Sequence, residues 1–174
     1  VRLCIDSWRW EGVPFFLRAG KCLPMSTTEV VVDLKRPPIV KLAPGKGNYL
    51  RFRLSPDVTI AVGARVKRPG DEMVGEETEL SIVHYPHGDE MDAYERLIGD
   101  AMDGDGTLFA RQDIVERAWE IVDPILRIDT PPIEYEPGTW GPSEADKLTE
   151  PIGGWQAPVH SPLLELVPPP AWLL

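Results

Sequence analysis

Cysteine, histidine and long apolar runs are all scarce in this chain, and each scarcity excludes something. Its two cysteines, Cys4 and Cys22, cannot make a disulfide framework or a cysteine-rich zinc site, so free thiols in a reducing compartment are expected. No apolar stretch approaches the roughly 20 residues of a membrane span. The N-terminal residues carry no basic-then-apolar signal pattern. Together these predict a cytoplasmic protein with no membrane partner. Positive charge is also short, with 18 Lys and Arg against 28 Asp and Glu and a formal net charge of −10. Such a field repels a phosphate backbone and argues against nucleic acid as a partner, yet a local cation cluster can still hold a small anion. An initiator Met is missing too, and a start on Val1 fits a chain cut from something longer.

Several motifs are absent. No G-x-G-x-x-G follows a strand and opens a helix, and no phosphate loop of the G-x-x-x-x-G-K-[ST] type occurs, so no cofactor-binding residue is assigned. Asp103-Gly104-Asp105-Gly106 fails as a calcium loop, because Leu108 stands where the sixth position needs Gly and Ile114 where the twelfth needs Glu. It reads as a solvated turn. His84-Tyr85-Pro86-His87-Gly88-Asp89-Glu90 collects two imidazoles and two carboxylates, but its Pro and Gly mark a strand exit and loop, so no metal ligands are assigned.

What is present suffices for one domain with a sizeable core. Residues 1–85 alternate like strands: Val1–Ile5, Val13–Arg18, Glu29–Leu34 stopped by Pro37-Pro38, Tyr49–Leu54, Val58–Val62 and Glu79–Val83. Ser55-Pro56-Asp57 has turn composition and predicts a hairpin, and 67–78 reads as a charged loop. Helical spacing of Met91, Tyr94, Leu97, Ile98 and Met102 predicts a helix leaving at Gly104. A second helix is expected over Asp113–Asp123, ended by Pro124, with Trp119 in the core. Pro131–Gly154 reads as coil with one helical turn at Ser143–Leu148, where Ser143 and Asp146 have capping-box spacing. Strands first and helices second indicate α+β, with helices on one sheet face and the other face open to a partner. Residues 1–157 are taken as the domain and 158–174 as a Pro-rich tail.

The densest segment is Asp6–Lys21, an apolar run with Trp8, Trp10, Phe15 and Phe16 that delivers Arg18 and Lys21 to a glycine-marked end. By parity Trp8 and Trp10 share a strand face, as core or interface anchors or, if exposed, as a surface for a sugar ring. Arg18 and Lys21 are suited to an anion, although a strand-end Lys is also commonly just solvated.

This run, Asp6-Ser7-Trp8-Arg9-Trp10-x-Gly-Val-Pro-Phe-x-Leu-Arg-x-Gly-Lys, closely resembles the C-terminal domain of glucose-6-phosphate dehydrogenases. Lys35-Arg36-Pro37-Pro38, Arg53-x-Ser-Pro56, Lys67-x-Pro69-Gly70, Ala93-Tyr94-Glu95-Arg96-Leu97-Ile98-x-Asp100, Gly104-Asp105-x-x-Leu108-Phe109, Ala118-Trp119-x-Ile121-x-Asp123-Pro124 and Trp140-Gly141-Pro142-x-x-Ala145-Asp146 are similar to the family in order and spacing. The likeness covers about residues 1–155. It implies an α+β domain on a large, mainly antiparallel sheet, belonging to an enzyme that oxidises glucose 6-phosphate to the lactone with NADP. In the family the Rossmann domain and the proton-abstracting histidine lie N-terminal to this region. The resemblance therefore implies no catalytic residue here, an isolated chain without turnover, and NADP held mainly elsewhere. It places the substrate phosphate at Lys21, matches Arg18 to a family Arg beside it, and implies a homo-oligomer formed through the sheet. Ser26 stands where the family usually has a second cation, and Ser55 where many members have Gln. Trp140 stands where some animal enzymes use Arg to hold a second NADP, so that site is not carried over. The alternative reading is a truncated, non-catalytic homologue acting as a dimerising or regulatory module; a stand-alone sugar-phosphate-binding protein is a third.

Overall fold

The computed structural model describes residues 1–35, 47–84 and 91–158, and the statements below concern those residues. The Pro37-Pro38 strand stop, the His87–Glu90 part of the polar loop and residues 159–174 of the tail lie outside them.

The chain divides into two compact units, with boundaries after Tyr85 and after Ile133. The first holds six strands: β1 (Arg2–Cys4), β2 (Pro14–Phe16), β3 (Thr28–Asp33), β4 (Tyr49–Ser55), β5 (Val58–Lys67) and β6 (Gly75–His84). Every pairing is antiparallel, as the α+β reading requires. The strands form two sheets rather than one: β1 and β2 pair as a ribbon, and β3-β4-β5-β6 run as a meander. Ser55-Pro56-Asp57 turns β4 into β5, as its composition predicts. The expected charged loop at 67–78 is shorter than predicted, spanning 68–74, because β5 runs to Lys67 and β6 starts at Gly75, with Glu77 opposite Arg65. Arg65 pairs with Glu77 at 3.6 Å, and the Lys67 ammonium donates to the Gly70 carbonyl at the hairpin tip. Cross-strand charge pairing thus supports a hairpin that hydrophobic alternation alone does not reveal.

Side chains alternate across the meander with period two. One face carries Glu29, Tyr49, Arg51, Arg53, Thr59, Ala61 and Glu79; the other carries Val30, Leu50, Phe52, Ile60, Val62, Leu80 and Ile82. The polar face is the buried one. Arg53 is 4% exposed and Ala61 1%, whereas Leu80 and Ile82 are 75% and 76% exposed. The Arg53 guanidinium donates through Nε and Nη2 to Glu29 Oε2 at 3.2 and 3.1 Å. Arg51 Nη2 lies 3.3 Å from Glu79 Oε2, which also accepts from the Tyr49 hydroxyl at 2.5 Å. Burial, then the bond to Glu79, raises the Tyr49 phenol above its ordinary value, which keeps it a donor. A Cβ on Gly63 would sit 2.1 Å from the Tyr49 ring, so only glycine lets that ring lie across β5.

The second unit contains α1 (Ala93–Asp103) and α2 (Gln112–Leu126). Asp92 caps α1 by accepting from the Tyr94 N–H at 2.8 Å, and Gly104 closes it at φ 73°. Asp105 then accepts from Thr107 N and Oγ1 at 2.9 and 2.6 Å; these bonds hold its carboxyl below the usual range. The acidic run is thereby a helix exit and turn. α2 corrects the expected stop at Pro124, since it continues two residues further. A proline in the last turn removes only its own N–H, and the carbonyl left without it belongs to exposed Glu120. Trp119, expected in the core, is 61% exposed, and neither helix has a buried residue. Periodicity identifies an apolar face but not what covers it.

The aromatic run is corrected too. Residues 7–12 are turns, with Trp10 N bonded to Ser7 O and Val13 N to Trp10 O, both at 3.0 Å. Trp8 is 87% exposed beside the Arg9 guanidinium, and Trp10 meets Phe15 edge-on at 5.2 Å. They share no strand face because the strand stops at Cys4 and resumes at Pro14. Ser143–Leu148 is a 3₁₀ turn whose cap position is Pro142, so the Ser143 capping box does not form.

The buried charge cluster gives a stability prediction. Glu29→Ala strands two half-paired guanidinium groups and should cost about 3–5 kcal/mol. Gly63→Ala should cost about 1–3 kcal/mol by displacing the Tyr49 ring. Urea unfolding of both variants checks this, and an exposed control such as Glu116→Ala should stay within about 0.5 kcal/mol.

Candidate functional site

The ribbon β1–β2 ends where Leu17 N donates to Val1 O at 2.8 Å. Beyond it, residues 18–27 carry no regular structure until β3 begins. Both site residues expected from sequence stand in this stretch, and they part company there. Arg18 is half-buried and Lys21 is exposed.

The Arg18 guanidinium packs against two indoles, 4.6 Å from the ring centroid of Trp140 and 4.6 Å from that of Trp155. Planar guanidinium on an aromatic face is a favourable pairing, on the order of 0.5–2 kcal/mol per ring. Desolvation by these neighbours lowers Arg18 from its ordinary value, and the attraction of Asp146 opposes that shift. An arginine stays charged even so, and its guanidinium is packed against two rings. Trp155 is itself fixed by donating Nε1–H to the Ala145 carbonyl at 3.1 Å and by an edge contact with Phe16 of β2 at 6.3 Å.

Lys21 sits at the tip. Among the described residues its ammonium makes no hydrogen bond or ion pair. Its backbone is held instead: the Tyr135 hydroxyl donates to the Lys21 carbonyl at 2.5 Å, and Gly138 N donates to the Cys22 carbonyl at 2.8 Å. Cys22 has φ 54°, an uncommon conformation for a residue with a side chain. A cleft of about 310 Å³ runs beside this turn, lined among others by Arg18, Gly20, Leu23, Tyr135, Trp140 and Trp155. The far end of the coil is tied to the meander, since the Gln156 amide donates to the Asp33 carboxylate on β3.

The arrangement offers one free ammonium on a fixed turn. It can bind and orient an anion such as a phosphate. Ser26, exposed in the same stretch, adds no charge, and the Ser55 carbonyl accepts from Thr27 Oγ1 at 2.8 Å. Cys4 and Cys22 are both free and exposed. Among the described residues no three metal-ligating side chains cluster, and no helix is long and apolar enough to cross a membrane. Sequence reasoning missed Tyr135, Trp155 and the Gly138 N–H. Tyr135 is 114 residues from Lys21 in a Pro-rich coil, and nothing local in the sequence signals that pairing.

Comparison with known proteins gives this geometry its context. Residues 1–156 match the family described as "Glucose-6-phosphate dehydrogenase, C-terminal domain". The chain is 41% identical over 167 residues to a glucose-6-phosphate 1-dehydrogenase of Aggregatibacter actinomycetemcomitans, covering 91% of this chain and 33% of that protein. It is 40% identical over 160 residues to a cytoplasmic isoform of the enzyme from Solanum tuberosum, covering 87% of this chain and 31% of that one. Among solved structures, the glucose-6-phosphate 1-dehydrogenase of Mycobacterium avium superimposes with a TM-score of 0.80 at 35% identity, over 92% of this chain and 36% of that one. A glucose-6-phosphate dehydrogenase solved with its substrate glucose 6-phosphate gives 0.67 at 27% identity, over 90% of this chain and 34% of that one. The chain thus spans about a third of the length of the relatives it matches. On its matched residues, its antiparallel sheet and its neighbours, the chain belongs to the glucose-6-phosphate dehydrogenase family, as its C-terminal domain.

Proposed function

We propose that this chain is the substrate-binding and dimerisation part of an NADP-dependent glucose-6-phosphate dehydrogenase. The enzyme would act in the cytoplasm, in the oxidative pentose phosphate pathway, converting glucose 6-phosphate to 6-phosphogluconolactone. One observation carries the reading: an exposed ammonium, Lys21, stands on a turn whose backbone is fixed from behind. A relative solved with glucose 6-phosphate supports the choice of anion.

Lys21 would donate charge-assisted hydrogen bonds to the sugar phosphate, remote from the carbon that loses hydride. Its contribution is affinity and orientation rather than proton transfer. For Arg18 the geometry favours support of the turn over contact with substrate, because its guanidinium already packs against two indoles, 4.6 Å from each ring centroid. NADP supplies the hydride acceptor in such a reaction. The described residues do not suit it: every strand pairing is antiparallel, and none feeds a glycine-rich loop into a helix. No step is therefore assigned to the cofactor within this chain.

The dimerisation role rests on the apolar sheet face. Val30, Ile60, Val62, Leu80 and Ile82 are each between 45% and 76% exposed and lie together on β3, β5 and β6. A contiguous apolar face of this kind marks an interaction surface.

Two outcomes are expected in the intact enzyme carrying this chain. Lys21→Ala removes one charge-assisted contact, about 1.5–3 kcal/mol, and should raise KM for glucose 6-phosphate roughly 10- to 150-fold. Steady-state kinetics checks this, and an unchanged KM would show Lys21 to be merely solvated. Leu80→Asp with Ile82→Asp should shift the enzyme from dimer to monomer in sedimentation velocity. A dimer that persists would remove the sheet face from the interface.

A further inference from the structure

The cation at the tip is directed by a residue that its own side chain never meets. Between the end of the β1–β2 ribbon and the start of β3, the backbone of 18–27 has no sheet or helix partner to fix it. Two successive carbonyls, those of Lys21 and Cys22, are nevertheless bonded, and both donors come from one short segment, the Tyr135 hydroxyl at 2.5 Å and Gly138 N at 2.8 Å. Those bonds hold Cys22 at φ 54°, a conformation that persists only where its surroundings impose it. A reversal at Cys22 directly after Lys21 determines which way the lysine stem leaves the chain.

Gly20 fits the same account. A Cβ there would lie 3.2 Å from the Tyr135 hydroxyl and 3.5 Å from Leu23, so glycine gives the phenol room to reach the next carbonyl. The glycine of the Arg-x-Gly-Lys run thus serves Tyr135 rather than the ligand. The donor segment is braced in turn. Thr139 Oγ1 donates to the Glu136 carbonyl at 2.7 Å, Gly138 sits at φ 82°, and Trp140 stacks on Arg18. The stretch from Tyr135 to Trp140 therefore grips 18–22 at three points: the Arg18 guanidinium and two consecutive carbonyls.

We infer that Tyr135 is a positioning residue that sets the direction of the Lys21 ammonium through the Lys21 carbonyl, with Gly20 providing the space for it. This rests on the proposal that Lys21 receives the substrate phosphate. Tyr135 touches no substrate and moves no proton.

Tyr135→Phe in the intact enzyme keeps the ring and deletes the donor. The expected result is a rise of about three- to tenfold in KM for glucose 6-phosphate, with kcat and KM for NADP nearly unchanged. Gly20→Ala should give the same split by crowding the hydroxyl, and it serves as the second variant if Tyr135→Phe folds poorly. The decisive comparison is a double-mutant cycle. In a Lys21→Ala background, Tyr135→Phe should add nothing further to KM, because nothing remains for it to aim. Tyr135→Phe with wild-type KM, or an equal rise in KM with and without Lys21, would overturn the positioning role while leaving the Lys21 reading intact. A Lys21→Ala enzyme with wild-type KM would instead sink the Lys21 reading, and this inference with it.

Discussion

The packing of Arg18 against the indoles of Trp140 and Trp155 is the contact on which the site depends. It joins the end of the N-terminal ribbon to a coil more than a hundred residues later in the chain, and it does so with a group that remains charged. A solvated arginine at this point would leave 18–22 as a loose loop after a three-residue strand. Packing against the two rings lowers its freedom, and the desolvation that results is offset in part by Asp146 from the same coil. With that post in place, Tyr135 and Gly138 are near enough to bond the next two carbonyls. The fixed backbone at Lys21 is then a consequence of aromatic packing on Arg18.

The meander shows the same preference for charge inside and apolar surface outside. Glu29, Arg51, Arg53, Tyr49 and Glu79 pair with one another from three strands, which is how buried ions become tolerable. Such a cluster specifies strand register more sharply than an aliphatic face would, because a one-residue slip would break every pair. The valines, leucines and isoleucines of the opposite face are left for another surface. The chain spans about a third of the length of its relatives, and it exposes aliphatic residues on the sheet and apolar residues on α1 and α2.

Much of the fold was legible in the sequence because its signals are local. Alternation located the strands, Ser55-Pro56-Asp57 marked a hairpin turn, and Gly104 marked the exit of α1. Failures occurred where a local rule met a nonlocal partner. Glu76 and Glu77 look like loop residues until β5 stands opposite them. Trp119 looks like core until its exposure is known, and Trp8 and Trp10 share a parity only if the intervening chain is a strand. Lys21 and Arg18 were legible as cations at a tip, and the motifs around them named the family. Their separate roles were not, since those depend on Trp140, Trp155 and Tyr135. No spacing rule links residues so distant in sequence.

In the proposed function Lys21 faces the substrate while Arg18 holds the turn that presents it. A crystal structure of the intact enzyme with glucose 6-phosphate tests this most directly. The expected result is a phosphate oxygen within about 3 Å of Lys21 Nζ, with Arg18 still against Trp140 and Trp155 and the Tyr135 hydroxyl still on the Lys21 carbonyl. A phosphate bound by Arg18 after it has left the indoles, with Lys21 turned to solvent, would contradict it.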